Sequence, residues 1–538
     1  MATFGIGLGR QAITEADEAY YAEASREMVV SGDWVTPRFN FEDRWQKPVL
    51  YYWLTAATYA VTGPGESAAR LWSALSGAGL VLLTWLIATR DASTRPHAWL
   101  AGAITATCFG YFAMARSALP DLPLAFCVTL TLAAAWAAVD RRAGHVDRWW
   151  ALAGLGMGLG CLMKGPVAIV VPVLAFAPAW WLERREAAIR WRHLVLAAGV
   201  AAAVALPWYF VMTARHGVPY LRSFLVGDNL ERFATTRFND TRPLWFYLPV
   251  IAGGLLPWTA YGVVAAAPAL ADLVRWRWRP SRTEIRLLSW AVLPTAFFMA
   301  SVGQQPRYVL PVLPPLAILL AASIGRRIER AHDGRGARGL HLATWITAAL
   351  FATCGILLLR LQPLITDTSP IVLWLSVAGA FAGALMLAAV ALTGAWRTLP
   401  VAGAVAGAVL LLALQFGVFA PGRPAAVERM ASLVQMHRSG SERIGPYRAF
   451  TRNLVFYTGL PQEDLYDAER AAQFLASPDR VLLVVREQDL PALAAAAHVE
   501  PRTLARVEYF NTATMRLRTL VSPDPASELE TVLLVTNR

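Results

Sequence analysis

Charge is scarce in this chain: 16% of its 538 residues are Asp, Glu, Lys or Arg, while 56% are hydrophobic and 21 are tryptophan. A soluble globular protein carries about 25% charged residues, so the bulk of the chain is excluded from that class. Acid is the scarcer sign, and the formal net charge is +12. Such a balance also marks nucleic-acid binders, but here the arginines cluster in short loops between apolar runs, the pattern that encodes membrane orientation. No nucleic-acid partner is expected. Cysteine is scarce too. Cys108, Cys127, Cys161 and Cys354 fall inside apolar runs without CxxC or CxxH spacing, which argues against a disulfide frame or a zinc site and for packed thiols. The chain has no internal repeat and no low-complexity segment, and Met1 to Gly9 is too short for the apolar region of a cleavable signal peptide.

What is present is a series of apolar runs long enough, or nearly so, to cross a bilayer. They fall at about 66–88, 97–116, 122–139, 149–163, 165–182, 193–214, 245–267, 286–302, 307–325, 340–360, 370–393 and 399–420. The expected fold class is therefore a polytopic α-helical membrane protein of about 12 spans. Arginine is concentrated in alternate loops, at 90–95, 141–148, 184–192, 275–286, 326–338 and at Arg397. The other loops hold far less, which puts the first set in the cytoplasm and residues 1–65, the loop at 215–244 and the tail on the outer face. The tail, from about 421 to 538, has charge spread through it. Arg480 to Arg486 and Thr531 to Val535 read as strands, AERAAQFLAS and LPALAAAA as helices. The expected division is an outer-face loop with interfacial helices at 1–65, a membrane core at 66–420 and a small α/β domain outside the membrane at 421–538.

The stretch from Thr14 to Leu54 is the most polar of the first four hundred residues. Its acid pair, Asp17 and Glu18, opens a short helix with apolar residues at 21, 24, 28 and 29, stopped by Ser31-Gly32. Such a helix suits a membrane interface. The pair has two readings: a site, or a capping box with Thr14 as N-cap and Asp17 as its acidic third residue. Lys47, followed by Pro48 and a run of aromatics, either snorkels to headgroups or holds a lipid-borne phosphate. Asp121 and Lys164 lie within or beside apolar runs, where charge is costly and so is paired or functional. For Lys164 the plainer reading is a tight Lys-Gly-Pro reversal that delivers the ammonium to water. Arg307, with Tyr308 beside it, poses the same choice. The outer loop alternates aromatics with Arg222, Arg232, Arg237 and Arg242, which suits either a sugar phosphate or an aromatic belt. His216, alone in that loop, is read as structural.

Taken in order, DEAYYAEASREMVVSGDWVTP, QKPVLYYWL, ARSALPDLPLAF, LMKGPVAIVVP, PWYF, NLERF, PLWFYLPV, LLPW and PRYVLPVLPPLAILLAA resemble the polyprenyl-phosphate-dependent glycosyltransferases of the C-type fold. That group includes the lipid A aminoarabinose transferases and the protein O-mannosyltransferases, and the likeness covers roughly residues 10–325. It implies transfer of a sugar from a polyprenyl-phosphate sugar donor to a lipid, glycan or protein acceptor, with inversion, on the outer face of the bacterial inner membrane. It also implies Asp17 as catalytic base, Asp121 as a second acid, and Lys47, Lys164, Arg307 and Tyr308 as ligands of the donor phosphate. Glu18, Tyr21, Arg232 and Arg242 become candidate contacts to donor or acceptor.

The chain departs from the pattern in four places. Tyr20 stands where an arginine is frequent, which removes one phosphate contact. Gln46 replaces an acid, and Asn239, Asp240, Thr241 and Arg242 replace a histidine; in some members those two side chains bind a divalent metal, so no metal site is expected here. Finally, a full helix ahead of the acid-bearing loop is missing, which leads us to expect a truncated start or an upstream initiation site. Within the class, a protein O-mannosyltransferase is the alternative. From other classes, a lipid-linked sugar flippase calls for inverted repeats and midplane charges, and an assembly factor would use the tail for docking. Neither repeats nor midplane charges are visible.

Overall fold

The structure, a computed structural model, describes residues 2–140, 145–184, 189–236, 241–275, 277, 279–332, 337–365, 367–420 and 422–538. Arg141, Arg142, Arg185, Arg237, Asn239, Asp240 and Arg335 lie outside the described residues. Seven described helices are long and apolar enough to cross a membrane: Glu66–Thr89, Asp121–Val139, Trp191–Ala234, Pro306–His332, Arg338–Arg360, Pro370–Thr393 and Trp396–Phe419. An eighth results if Arg95–Thr107 and Phe109–Ala115, bent by 54°, count as one. Twelve spans of that quality are therefore not found. Apolarity measures composition and not helix continuity. The interval at 245–267 breaks into Leu244–Gly254 and Thr259–Val274, and Val167–Glu183 is short. Val146–Lys164 carries Asp147, Arg148 and Lys164, and Arg282–Met299 starts with Arg282, Glu284 and Arg286. The two broken regions meet. Phe109 N–H donates to the carbonyl of Leu256 at 2.8 Å, so backbone freed at each break is satisfied inside the protein, as a membrane demands.

Helix ends sort by the alternation of loop charge. At one end Arg286 binds Glu183 at 2.6 Å and Asp140 at 2.8 Å, and Thr283 donates to Asp91 at 2.7 Å. These residues belong to the arginine-rich loops. Asp121 starts the helix that ends at Asp140, and near Asp121 gather Asp17, Lys164 and Arg307. Small residues allow close helix contact: a Cβ added at Gly154 would lie 2.3 Å from the carbonyl of Ala197.

On the outer face, helix Ala16–Ser31 ends at Gly32, whose φ of 70° is the left-handed stop that glycine favours. The capping box is not formed: Glu15 is the N-cap and makes no side-chain cap bond, and Thr14 is exposed. The helix is also buried beyond its apolar face. Glu23 and Glu27 are both buried, because Arg26 pairs with Glu23 at 2.6 Å and Glu27 accepts the Phe41 N–H at 3.0 Å. A hairpin, β1 (Arg38–Phe39) and β2 (Glu42–Asp43), leads to helix Leu50–Thr62.

The tail holds four strands, not two. β3 (Arg443–Tyr447), β4 (Val481–Arg486), β5 (Arg502–Phe510) and β6 (Leu529–Thr536) form one sheet in the order β3-β4-β6-β5, parallel between β3 and β4 and otherwise antiparallel. Helices cover both faces. Val481, Leu483 and Val485 pack toward helix Ala468–Leu475, and Leu482 and Val484 toward helix Ala426–His437. β3 and β5 are the edges: β3 contains Gly445 and Pro446, and β5 is largely exposed, so neither shows the alternation that marks a half-buried strand. The domain docks on the outer-face loop. Asn40 and Gln462 exchange hydrogen bonds of 2.7 and 2.8 Å, Asn453 donates to the carbonyl of Ile13 at 2.8 Å, and Arg423 pairs with Glu66 at 2.6 Å.

Candidate active site

Helix polarity places the charges of the site. Asp17 lies in the first turn of Ala16–Ser31 and Asp121 starts Asp121–Val139, where carboxylates are favoured; Lys164 ends Val146–Lys164, where a cation is. After Lys164 the chain turns at Gly165, φ 93°, so the tight reversal is real. The ammonium does not run to water, however; it binds the Asp121 carboxylate and lies 4.8 Å from the ring of Tyr308. Arg307, in a 3-10 segment, links the two acids, at 2.5 Å from Asp17 and 3.5 Å from Asp121, with Glu15 at 3.7 Å. Five side chains thus form one alternating network, Glu15/Asp17–Arg307–Asp121–Lys164. Asp121 is buried, whereas the Asp17 side chain is 43% exposed. Burial alone would push the Asp17 carboxyl up, but the charge and hydrogen bond of Arg307, with Arg44 and Arg452 nearby, hold it below its ordinary value. It is an ionised and accessible carboxylate.

Lys47 lies beside this network, 3.7 Å from Asp228, which Arg232 approaches at 3.5 Å. Burial pushes the Lys47 ammonium down to about 7; Asp228 opposes this, while Arg232, Lys164 and Arg44 add to it. The chain has 47 arginines but two lysines, Lys47 and Lys164, and the structure brings both to this place. That imbalance was a signal in the sequence which motif reading passes over. Cys161 and Pro166, on either side of Lys164, also line an apolar cleft of about 570 Å³. Leu132, Met157, Phe176, Ala201, Tyr209 and Phe224 complete much of its wall.

Three candidates are placed otherwise. Glu18 is buried and consumed by Arg70, at 2.7 and 2.9 Å, and by the Ala118 N–H at 2.8 Å; both its oxygens are taken, so it is a structural acid. Arg70 in turn binds the carbonyls of Leu8, Gln11 and Ala12, which shapes the loop ahead of Asp17. Tyr21 is buried, stacked on Tyr52 at 5.2 Å and edge-on to Tyr51 at 5.4 Å. Arg242 is exposed over Phe246 and outside the network. His216 hydrogen-bonds Thr36 at 2.8 Å. Gln46 is exposed, and among the described residues no group of three or more His, Cys, Asp or Glu gathers as a metal site. Removing one partner of a buried ion pair leaves the other charge uncompensated, at a cost of about 3–5 kcal/mol. Arg70→Met is therefore expected to lower the thermal midpoint and the monodisperse yield of the detergent-purified protein, and adding Glu18→Gln should recover part of both.

Comparison with known proteins bears on the family and the fold. The profile of the dolichyl-phosphate-mannose-protein mannosyltransferase family matches residues 12–216. The undecaprenyl phosphate-alpha-4-amino-4-deoxy-L-arabinose arabinosyl transferase of Pseudomonas paraeruginosa is 36% identical over 389 residues, 70% of this chain and 68% of that protein. A second enzyme of that description, from Pseudomonas fluorescens, is 37% identical over 327 residues, 60% of this chain and 54% of its own length. The crystal structure of ArnT from Cupriavidus metallidurans bound to undecaprenyl phosphate superposes with a TM-score of 0.73 at 22% identity, covering 100% of this chain and 96% of that one. The chain belongs to the polyprenyl-phosphate-dependent membrane glycosyltransferases of the C-type fold, as a multi-pass enzyme of the bacterial inner membrane whose site faces outward.

Proposed function

We propose that the protein transfers 4-amino-4-deoxy-L-arabinose from its undecaprenyl phosphate carrier to a glycolipid acceptor of the lipid A type. The observation that carries this is the charged network at the head of an apolar cleft: a headgroup site with both lysines of the chain, joined to a channel for a prenyl tail. In this reading the donor phosphate lies against Lys47, Lys164 and Arg307, with Tyr308 and Arg232 beside them. The acceptor oxygen attacks the anomeric carbon, the bond from that carbon to the phosphate oxygen breaks, and the polyprenyl phosphate leaves with one more negative charge. Cations around the leaving oxygen stabilise that charge more in the transition state than in the ground state. Asp17 orients the acceptor and receives its proton. Asp121 holds Lys164 and Arg307 apart and in register. Direct displacement inverts the anomeric centre.

With Gln46 ahead of the Lys-Pro pair, this reading gives the phosphate to lysine and arginine instead of a metal, and transfer is expected to survive chelation by EDTA. Mass spectrometry of envelope lipids with and without the protein tests the substrate: the expected result is the gain of one aminoarabinose on a glycolipid. A hexose gain on secreted proteins instead would favour the mannosyl-transfer reading that the match over 12–216 also supports. The cleft is tested separately. Ala201 is buried in its wall, and Ala201→Phe would fill it. Because each buried methylene is worth about 0.8 kcal/mol, the variant is expected to raise KM for the full-length donor about tenfold and to leave a donor with a two-isoprene tail almost unchanged.

A further inference from the structure

We propose that Arg44 and Arg452, both set over the ring of Tyr20, grip a phosphate group on the acceptor, so that the C-terminal domain takes part in choosing what is glycosylated. The proposal rests on the glycosyltransferase reading above. The Arg44 guanidinium lies 3.8 Å and that of Arg452 4.7 Å from the centroid of Tyr20, and Phe39 supports the ring edge-on at 4.5 Å. Tyr20 is three residues past Asp17 on the same helix, so it lies on the face that carries the carboxylate. Tyr20 was expected to remove a phosphate contact; two guanidiniums from elsewhere in the chain stand over it instead.

Their lack of acid partners sets them apart. Arg307 pairs with Asp17, Asp121 and Glu15, Lys164 pairs with Asp121, and Lys47 and Arg232 both approach Asp228, so each donor-side cation is set in place by an acid. Arg44 makes a hydrogen bond to the hydroxyl of Tyr52 at 3.2 Å, and among the described residues neither Arg44 nor Arg452 has a carboxylate at ion-pair distance. Two like charges over one ring repel unless an anion joins them, and guanidinium forks suit phosphate oxygens. Arg452 is also presented by a fixed loop: Phe450 holds a left-handed φ of 52°, and Asn453 is tied to the carbonyl of Ile13 at 2.8 Å. That loop ends beside the residues leading into Asp17. Arg44 and Arg452 both help keep the Asp17 carboxylate ionised, which places them where an incoming acceptor would meet the base. The donor's phosphate has its own cations at the cleft, so the anion left for Arg44 and Arg452 is the acceptor's.

The test uses the full-length protein in nanodiscs, with a diphosphorylated glucosamine-disaccharide glycolipid, its dephosphorylated counterpart and phosphatidylglycerol as probes. A charge-assisted pair of hydrogen bonds is worth about tenfold or more in affinity. Wild type is expected to prefer the phosphorylated glycolipid by about tenfold. Arg452→Gln, on an exposed loop, and Arg44→Gln should each abolish the preference, Arg452→Lys should restore part of it, and the affinity of the two Arg452 variants for undecaprenyl phosphate should stay within about twofold. The proposal is overturned if wild type does not discriminate, if both Gln variants keep the preference, if they lose the donor equally, or if phosphatidylglycerol binding falls in parallel, which would make the pair a general lipid contact. If the preference behaves as expected while wild type transfers no sugar from any polyprenyl donor, the functional reading fails and the anion site stands.

Discussion

Asp17→Asn is expected to lower kcat about a thousandfold, the middle of the range for loss of a general base, while KM for the donor moves less than about threefold. The geometry separates the two effects. Asparagine keeps the size of Asp17 and leaves Arg307 with Asp121 at 3.5 Å and Glu15 at 3.7 Å, so the phosphate-binding cations stay in place. What is lost is the proton acceptor. Because Arg307 overrides burial and holds Asp17 below its ordinary value of 3.8, the wild-type acid limb of kcat/KM should lie below about pH 4, where the carboxylate protonates and its partnership with Arg307 is lost. Asp121→Asn should look different. Asp121 is buried between Lys164 and Arg307, and its loss leaves two cations facing each other, so folded yield should fall together with activity. Single-turnover transfer from a polyprenyl-phosphate sugar, with donor affinity measured in parallel, distinguishes these outcomes. Undiminished turnover by Asp17→Asn would remove the assigned base.

Much of this was legible from particular residues. Lys164 could be read from the cost of a charge in an apolar run, and the ordered motifs brought Asp17, Asp121, Lys47 and Arg307 together as a set before any coordinate did. What the sequence hid was pairing at long range. Glu18 and Asp17 are neighbours of the same chemical type, yet Arg70, 52 residues away, takes Glu18 into the interior, and no local pattern separates them. Tyr20 read as a loss because the arginines that reach it come from residue 44 and from the tail. The broken helices at Cys108 and Leu256 were missed for a related reason: hydropathy stays high through a break whose backbone is satisfied by a distant partner.

Lys47 supplies the second large effect, and its sign is specific. Burial pushes its ammonium down to about 7, with Asp228 opposing and Arg232, Lys164 and Arg44 contributing. In the free enzyme the charge is thus present below that pH and lost above it. Since kcat/KM reports free-enzyme ionisations, its value for the donor should fall above about pH 7, approaching tenfold per pH unit. At saturating donor the bound phosphate restores the ammonium, and kcat should stay flat further into the alkaline range. Unfolding cannot imitate this. An unfolded lysine keeps its proton to about its ordinary 10.5, so between 7 and 10.5 the unfolded state binds the extra proton and this group makes stability rise with pH while donor capture falls. Lys47→Arg keeps the charge throughout and should flatten kcat/KM between pH 6 and 9, at a lower level because a guanidinium does not fit an ammonium site. Lys47→Met should lose about a hundredfold in kcat/KM at pH 6, where the wild-type charge is intact, and progressively less at pH 9. A wild-type profile flat from pH 6 to 9, or an alkaline limb that persists in Lys47→Arg, would mean that another group holds the phosphate.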